Sequence, residues 1–238
     1  MKKNTIELLA WDSQFFGYPV AKIVFNQKGI DDLDALFNQL HSQKIRLTYF
    51  IVSPDEKETN ERILKKGGIS VDQKTVFMKA TEKHSDFSNT IVDFHGTEVN
   101  EKLIELTLQS GVFSRFRIDK KFEKREYERL YIEWITKSIK KEIAFKTLVA
   151  LKDNDIIGIT TLDDDKKYAH IGLVAVDETC RGQGIGSDLI HMADTIAFAS
   201  GFKKIKVVTQ LQNRSACKLY GKCGFHIESI ANVYHYWQ

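Results

Sequence analysis

Three glycines in the segment RGQGIG, residues 181–186, have the spacing of a turn that binds phosphate groups. An apolar run precedes the segment and a helical pattern follows it, so the turn joins a strand to the N-terminus of a helix. Glycine lets the backbone approach a ligand closely and adopt positive φ. Successive backbone amides at such a helix start favour a pyrophosphate.

Two better-known phosphate motifs do not fit this turn. A Walker A loop ends in Gly-Lys-Ser/Thr, whereas Gly184 is followed by Ile185 and Gly186. A dinucleotide fingerprint has GxGxxG spacing and an acidic residue after the next strand. Here the spacing is GxGxG and the next strand ends at Thr209-Gln210. A glycine turn that holds no ligand remains the alternative.

Two blocks of residues around the turn resemble the GCN5-related N-acetyltransferase (GNAT) family. The first is an apolar strand end followed by Arg/Gln-x-x-Gly-x-Gly/Ala, which Arg181, Gly184 and Gly186 match. The chain departs from the usual pattern at Glu178, where Pro is common, and at Cys180, where an aromatic residue is common. The second block is Asn-x-x-Ala-x-x-Leu-Tyr-x-Lys-x-Gly-Phe, matched by Asn213, Ala216, Leu219, Tyr220, Lys222, Gly224 and Phe225.

This resemblance covers residues 93–238 and implies an α/β (α+β) fold, a mixed and mostly antiparallel sheet flanked by helices. It also implies acetyl-CoA as cosubstrate. The backbone amides of the turn would bind the pyrophosphate, and the strand edge before the turn would hold the pantetheine arm as an added strand. The implied acetyl-CoA residues are Val174, Ala175, Val176, Arg181, Gly182, Gln183, Gly184, Ile185, Gly186, Asn213 and Ala216.

Acyl transfer from a thioester to an amine also needs polar groups at the reacting atoms. A backbone amide near Val176 would stabilise the oxyanion. The leaving thiolate has a conjugate acid of pKa about 8.5, and the resemblance places Tyr220 as the general acid that protonates it. An aromatic residue packed on a helix face is the alternative for Tyr220. No base is evident for removal of the amine proton, for which a water chain can suffice. His170 is the one candidate, although a lone histidine on a strand is more often structural.

Segments outside the two blocks suggest the acceptor. Residues 11–17, WDSQFFG, and residues 114–119, SRFRID, resemble GNAT enzymes that acetylate dTDP-linked 4-amino sugars, in which a truncated GNAT-like half precedes the catalytic half. Arg115 and Arg117 would pair with a diphosphate in bidentate fashion, with Arg115 the stronger candidate, and Phe116 would stack on a base or sugar. Asp119 would join this substrate site or serve as a cap, and the aromatic residues of segment 11–17 would stack on substrate or anchor the core.

Two other functions stay open at this point. One is a GNAT enzyme for another amine, such as a protein N-terminus, a polyamine or an antibiotic. The other is a non-catalytic acyl-CoA-binding module, against which Tyr220 argues, because a pure binder needs no group that protonates a thiol. The acidic lining expected for a polyamine is not evident near Arg115 and Arg117.

The amino-acid composition limits the classes of partner and the cellular location that we expect. The chain has 238 residues, 42% of them hydrophobic, and a net charge of +3 without a basic stripe, so no nucleic-acid partner is expected. Three cysteines without paired spacing favour neither disulfides nor a metal site. No run approaches the roughly 20 apolar residues of a membrane span, and the N-terminus lacks the apolar core of a secretion signal. We therefore expect a cytoplasmic protein, and a homodimer is compatible with the resemblance.

Hydrophobic periodicity predicts the elements that position these residues. The polar segment 81–91 is interpreted as a linker, which gives an N-terminal domain 1–92 and a catalytic domain 93–238. Asp153-Asn154 predicts a tight hairpin, and Leu33, Leu36 and Phe37 have helical spacing. The expected elements near the site are an amphipathic helix over 123–139, strands over 145–152, 155–163, 168–177 and 204–210, and helices over 184–200 and 213–222.

Overall fold

The computed structural model describes residues 4–25 and 33–238. The chain divides into two compact units: unit 1 is Met1–Lys74 with Ile230–Gln238, and unit 2 is Thr75–Ser229. This division differs from the predicted boundary near residue 92, because the segment after Lys74 is bonded within unit 2 and the last residues belong to unit 1. That unit 1 is a truncated copy of the catalytic fold stays a prediction.

Unit 1 contains a sheet whose strands lie in the order β1-β2-β3-β10. The β1–β2 and β3–β10 pairs are antiparallel, and the β2–β3 pair is parallel. Two strands, β4 and β10, have residues in both units. The elements are β1 (Thr5–Leu8), α1 (Ala10–Phe16), β2 (Val20–Val24), α2 (Leu33–Ser42), β3 (Leu47–Val52), α3 (Lys57–Lys65), β4 (Ile69–Ala80) and β10 (His226–Trp237).

The core of unit 1 lies under α2. Leu33, Leu36, Phe37 and Leu40 are all buried, so the helical spacing of these apolar residues is confirmed. Their side chains pack in one cluster with Phe50 of β3. Burial of this apolar face is what holds so short a helix, since an isolated helix of this length is marginal in water.

Unit 2 carries the elements that the family resemblance concerns. They are β5 (Thr90–Asp93), α4 (Glu101–Ser110), α5 (Arg115–Ile118), α6 (Lys124–Ile139), β6 (Lys146–Lys152), β7 (Asp155–Asp164), β8 (Ala169–Val176), a 3₁₀ turn (Glu178–Cys180), α7 (Ile185–Ala199), β9 (Lys204–Gln210) and α8 (Arg214–Lys222).

The strands of unit 2 lie in the order β4-β9-β8-β7-β6-β5. The pairs from β5 to β8 are antiparallel, and β8 pairs with β9 in parallel, so the predicted mixed, mostly antiparallel sheet is confirmed. Asp153 and Asn154 have φ of 52° and 69° between the paired ends of β6 and β7. This left-handed pair is the two-residue hairpin that the sequence predicts.

Helix α7 packs on one face of this sheet. Its residues Leu189, Ala193 and Ala197 are fully buried in a cluster with Ile171 of β8 and Val207 of β9. Because α7 starts at the glycine turn, this packing fixes the position of the turn relative to the two central strands. Within the described residues, no helix combines the length and apolar character that crossing a membrane requires.

Candidate active site

Strands β8 and β9 separate at the end where the glycine turn begins. Their pairing runs from Ala169↔Ile205 to Ile171↔Val207 and then stops, although β8 continues to Val176. On its other edge β8 stays paired with β7 as far as Val176. Among the described residues, the segment Val174–Val176 therefore has one open backbone edge, which is the feature needed to hold an extended ligand as an added strand.

A β-bulge in β8 precedes this open edge. Between the pairs Thr160↔Val174 and Leu162↔Ile171, two residues of β8 face the single residue Thr161 of β7. The Leu173 amide donates to Thr161 Oγ1 at 2.9 Å, and a Cβ at Gly172 would lie only 2.7 Å from the same oxygen. Glycine is thus required by close packing at Gly172, and the bulge sets the direction of the strand beyond it.

The glycine turn exposes a set of backbone donors. Gly182 and Gly184 have φ of 81° and 82°, and residues 181–184 are exposed. The amides of Gly184, Ile185 and Gly186 donate no hydrogen bond to any other residue that the structure describes, as expected for the first turn of a helix. These amides, together with the positive end of the α7 dipole, are suited to an anion.

Arg181 ties the turn to its neighbours through its side chain. Its Nε donates to the Val176 carbonyl at 3.1 Å, and its Nη2 donates to Gln109 Oε1 at 3.1 Å. The guanidinium therefore links the turn to the end of β8 and to α4, so Arg181 offers a ligand its backbone, as the resemblance implies. The same bond occupies the Val176 carbonyl in the structure.

Asp177 fixes the start of the turn, a role that the sequence reasoning missed. Its carboxylate accepts from the Thr179 amide at 2.9 Å and from Thr179 Oγ1 at 2.6 Å, and it forms an ion pair with Lys102 of α4. The Lys102 ammonium, aided by Thr179, holds the pKa of Asp177 well below its usual range. The Asp-x-Thr pattern after a strand, an Asx-type cap, is the signal that identifies it.

The second sequence block forms the start of α8. Asn213 caps this helix, because its Oδ1 accepts from the Ala216 amide at 3.1 Å and from Ser215 Oγ at 2.9 Å. The Asn213 side-chain oxygen is thereby occupied. A Cβ at Gly186 would lie 3.2 Å from Leu219 Cδ2, so the missing side chain of Gly186 lets α8 pack closely against the first turn of α7.

Tyr220 lies on α8 and is only 4% exposed. Its ring contacts those of Phe77 and Phe225, with centroid distances of 5.6 and 6.2 Å, and it belongs to the same cluster as Ile171 and Val207, the last paired residues of β8 and β9. Its hydroxyl has no hydrogen-bond partner among the described residues. Burial raises the pKa of Tyr220 far above its ordinary value, so the phenol keeps its proton.

His170 lies on β8 just before the bulge and contacts a carboxylate. Its Nδ1 is 2.9 Å from Asp163 Oδ1, and the two residues are direct partners in the β7–β8 pair. Because the carboxylate engages Nδ1, Nε2 is the nitrogen left to act on another group. Asp163 is a second residue that the sequence reasoning missed.

The expected acceptor residues lie on and beside α5. Phe116 is 7% exposed and packs edge-on against Phe122, with ring centroids 5.3 Å apart. Asp119 is 4% exposed and accepts from the Lys121 amide at 3.0 Å. The contact of Asp119 favours the cap that the sequence left open as its alternative role, and the burial of Phe116 leaves little of its ring free to stack on a ligand. Arg115 is partly exposed, and its guanidinium carbon lies 4.7 Å from the Phe116 ring centroid.

In unit 1, the aromatic residues of segment 11–17 form a cluster on α1. The Trp11 and Phe15 rings are 5.1 Å apart and nearly parallel, and the Phe15 and Phe16 rings are 5.0 Å apart. α1 contributes no buried residue, and Trp11 is 40% exposed. Phe15 and Phe16 are half-buried, so stacking on a substrate and anchoring of the core both stay predictions for these residues.

Comparisons with known proteins agree with the features of unit 2. A family model described as "Acetyltransferase (GNAT) family" matches residues 110–225. The chain is 32% identical over 111 residues to dTDP-fucosamine acetyltransferase of Escherichia coli O6:H1, over 46% of this chain and 45% of that protein. It is 34% identical over 82 residues to streptothricin acetyltransferase of Escherichia coli, over 34% of this chain and 47% of that protein.

The matched segments span less than half of the length of these curated relatives. Among solved structures, a GCN5-related N-acetyltransferase from Sphaerobacter thermophilus has a TM-score of 0.64 at 14% identity, covering 98% of this chain and 76% of that one. At this identity the similarity concerns the fold alone.

Proposed function

Because residues 110–225 form a domain of the acetyltransferase (GNAT) family, we propose that this protein transfers an acetyl group from acetyl-CoA to an amine. The observation that carries the proposal is the turn at Gly184, whose amides donate no hydrogen bond to the described residues and which follows a strand with an open edge. A turn that served only to connect a strand to a helix would need no such edge beside it.

Acetyl-CoA fits the groups that this region leaves available. The amides of Gly184, Ile185 and Gly186 bind the pyrophosphate, whose charge the helix dipole also stabilises. The pantetheine arm runs along the open edge of Val174–Val176, where peptide-like amides of the ligand replace a missing strand. Asn213 contributes its side-chain amide group, since its oxygen is occupied as a cap.

The transfer step follows from the same residues. The amine nitrogen attacks the thioester carbon, and the backbone amide near Val176 stabilises the oxyanion. The carbon–sulfur bond then breaks, and Tyr220 donates its proton to the departing sulfur. The raised pKa of Tyr220 keeps the phenol protonated beforehand. The amine loses its proton through a chain of water molecules, and His170, held through Nδ1 by Asp163, is the candidate base at the end of that chain.

The acceptor that we propose is a nucleotide-linked amino sugar of the dTDP-4-amino-4,6-dideoxyhexose type, a substrate of cell-surface polysaccharide assembly. Arg115 supports this acceptor, because a partly exposed guanidinium pairs well with a diphosphate. Phe116 and Asp119 then act by holding Arg115 and its turn. A different amine, such as the antibiotic named for a relative, is the alternative. The homodimer and the cytoplasmic location stay predictions.

A thermal-shift panel tests the proposal, since a ligand that binds only the folded protein raises its melting temperature. The ligands are acetyl-CoA, dTDP and UDP, each alone, and acetyl-CoA with each nucleotide. We expect stabilisation by acetyl-CoA and a further rise with dTDP. If acetyl-CoA raises the melting temperature and neither nucleotide adds to the rise, the proposal of an acetyltransferase stands and the proposal of a nucleotide-sugar acceptor is wrong. No response to acetyl-CoA would overturn the function.

A non-catalytic acyl-CoA-binding module would also respond to acetyl-CoA. Release of free CoA thiol with a panel of dTDP- and UDP-linked amino sugars distinguishes the two, because only an enzyme releases the thiol faster in the presence of an acceptor.

A further inference from the structure

The segment from Thr81 to Asn89, which we call the strap, lies along α7 instead of hanging free as a linker. At its start, the Thr81 amide donates to the Lys203 carbonyl at 3.1 Å, just beyond the C-terminal end of α7. At its end, the Asn89 amide donates to Asp188 in the first turn of α7 at 2.9 Å. The strap therefore runs the length of α7, in the opposite direction, and stops beside the glycine turn.

The end of the strap near the C-terminal half of α7 is held by a charged cluster. Asp194, fully buried, accepts from the Glu82 amide at 3.2 Å and lies 2.8 Å from His84 Nε2. Lys79 Nζ lies 3.0 Å from Asp194 and also pairs with Glu82. Glu82, His84 and Asp194 have the atoms of a metal site, but the Lys79 ammonium already balances the charge of the carboxylates.

The other end of the strap converges on one carboxylate oxygen. Asp188 Oδ2 accepts from the Ser88 amide at 3.1 Å, from the Asn89 amide at 2.9 Å and from Asn89 Nδ2 at 2.7 Å. Asp188 is 7% exposed and lies where a bound pyrophosphate would repel a free carboxylate. These three donors bind the charge of Asp188 and keep it on the strap side of the helix.

Asn89 also reaches the turn itself. Its Nδ2 lies 3.5 Å from the Gln183 carbonyl oxygen and would be the nearest atom, at 3.9 Å, to a Cβ at Gly184. A trans peptide is planar, and its carbonyl and amide groups point in opposite directions. When Asn89 holds the Gln183 carbonyl, the Gly184 amide of the same peptide is directed away from the strap, toward the exposed side of the turn.

We propose that Asn89 is a positioning residue of the acetyl-CoA site, orienting the Gly184 amide toward the pyrophosphate through the Gln183 carbonyl and Asp188. This inference rests on the proposed function and adds to it a residue that lies outside both family-like sequence blocks. Asn89 touches no reacting atom in this scheme. Its effect is confined to the affinity for the phosphate part of the cosubstrate.

Calorimetric titration with CoA tests this role without knowledge of the acceptor. Asn89→Ala is expected to raise the Kd for CoA about 10-fold, the loss typical of one hydrogen bond to a charged group. Dephospho-CoA keeps the pyrophosphate and lacks the 3′-phosphate, so its Kd should rise by the same factor. The control is His84→Ala, which loosens the distant end of the strap at Asp194 and should leave both Kd values unchanged.

Asn89→Ser is a second variant that separates an effect on CoA binding from a general loss of folding. Its hydroxyl still donates to Asp188 but is too short to reach Gln183, so we expect a wild-type melting temperature together with the weakened CoA binding. Wild-type Kd values in both Asn89→Ala and Asn89→Ser would overturn the role of Asn89. An equal loss of CoA affinity in His84→Ala would also overturn it. So would a loss of affinity for CoA that does not occur for dephospho-CoA. Failure of the wild-type protein to bind CoA would instead overturn the proposed function.

Discussion

Two buried tyrosines provide a matched test of the general acid. Tyr220 and Tyr234 are 4% and 3% exposed, but within the described part of the chain only the Tyr234 hydroxyl has a hydrogen bond, which it donates to Asn60 Oδ1 at 2.6 Å. Replacing each by phenylalanine removes one hydroxyl oxygen and leaves the ring in place. Tyr220→Phe should therefore lower turnover and leave stability nearly unchanged, whereas Tyr234→Phe should lower stability and leave turnover unchanged.

For Tyr220→Phe, no hydrogen bond among the described residues is lost. Removing a hydroxyl that has no protein partner is close to neutral, so the melting temperature should stay within about 4 °C of the wild-type value. Turnover should fall by about 10²- to 10⁴-fold, the usual contribution of general acid–base catalysis. The Kd for CoA should not change.

For Tyr234→Phe, the Asn60 oxygen keeps a second donor, Asn232 Nδ2 at 3.0 Å. Loss of the hydrogen bond to Asn60 should cost about 1 kcal/mol, or a fall of about 2–4 °C in melting temperature, with turnover unchanged. The assays are thermal unfolding and the release of CoA thiol with the acceptor that the panel identifies. Turnover of Tyr220→Phe within two-fold of wild type would refute the acid role. A fall of several degrees in its melting temperature would refute the claim that its hydroxyl is unbonded.

Three further outcomes follow from the structure. Arg115→Ala should raise the acceptor KM about 10-fold, the cost of losing a charge-assisted bond, and leave the KM for acetyl-CoA unchanged; equal effects on both would remove its substrate role. Gly184→Ala and Gly201→Ala place alanine at φ of 82° and 86°, each costing about 1–2 kcal/mol of stability. Only Gly184→Ala should weaken CoA binding, and a loss in both would mean that strain in α7 is the cause. Burial lowers the pKa of His191 from 6.5, so the unfolded chain takes up a proton first as the pH falls. The free energy of unfolding from urea titrations should therefore decrease as the pH falls through and below 6.5, the ordinary pKa of histidine. His191→Gln should flatten this decrease, and an unchanged slope would contradict the assignment.

Local signals predicted the elements around the glycine turn well. α7 was expected over 184–200 and is Ile185–Ala199, and α8 was expected over 213–222 and is Arg214–Lys222. Each helix is preceded by an N-cap residue of a type that favours a helix start, Gly184 for α7 and Asn213 for α8. The hairpin at Asp153-Asn154 was predicted for the same reason.

Contacts between distant residues account for what the sequence did not reveal. The strap has the polar composition of a linker, but Asp188 and Asp194, about 100 residues later, accept its donors. Hydrophobic periodicity carries no information on such polar pairs. Phe116 likewise has an aromatic side chain of the type that stacks on ligands. Its packing on Phe122 in the structure shows that the ring is buried. Asp163 became visible as a partner of His170 only through the β7–β8 register.

The composition of unit 1 has a consequence for the order in which the chain folds on the ribosome. Six residues of β10, Asn232–Trp237, pair with β3, and Tyr234 lies in the unit 1 core. These residues leave the exit tunnel only after the whole of Thr75–Ser229 has been made. Until β10 has been made, the edge of β3 that pairs with it stays unpaired. Unit 2 has contiguous residues, so its whole sequence is present before unit 1 is complete. An unpaired strand edge is a site of misassociation, so this edge of β3 is open to misassociation during synthesis until β10 has been made.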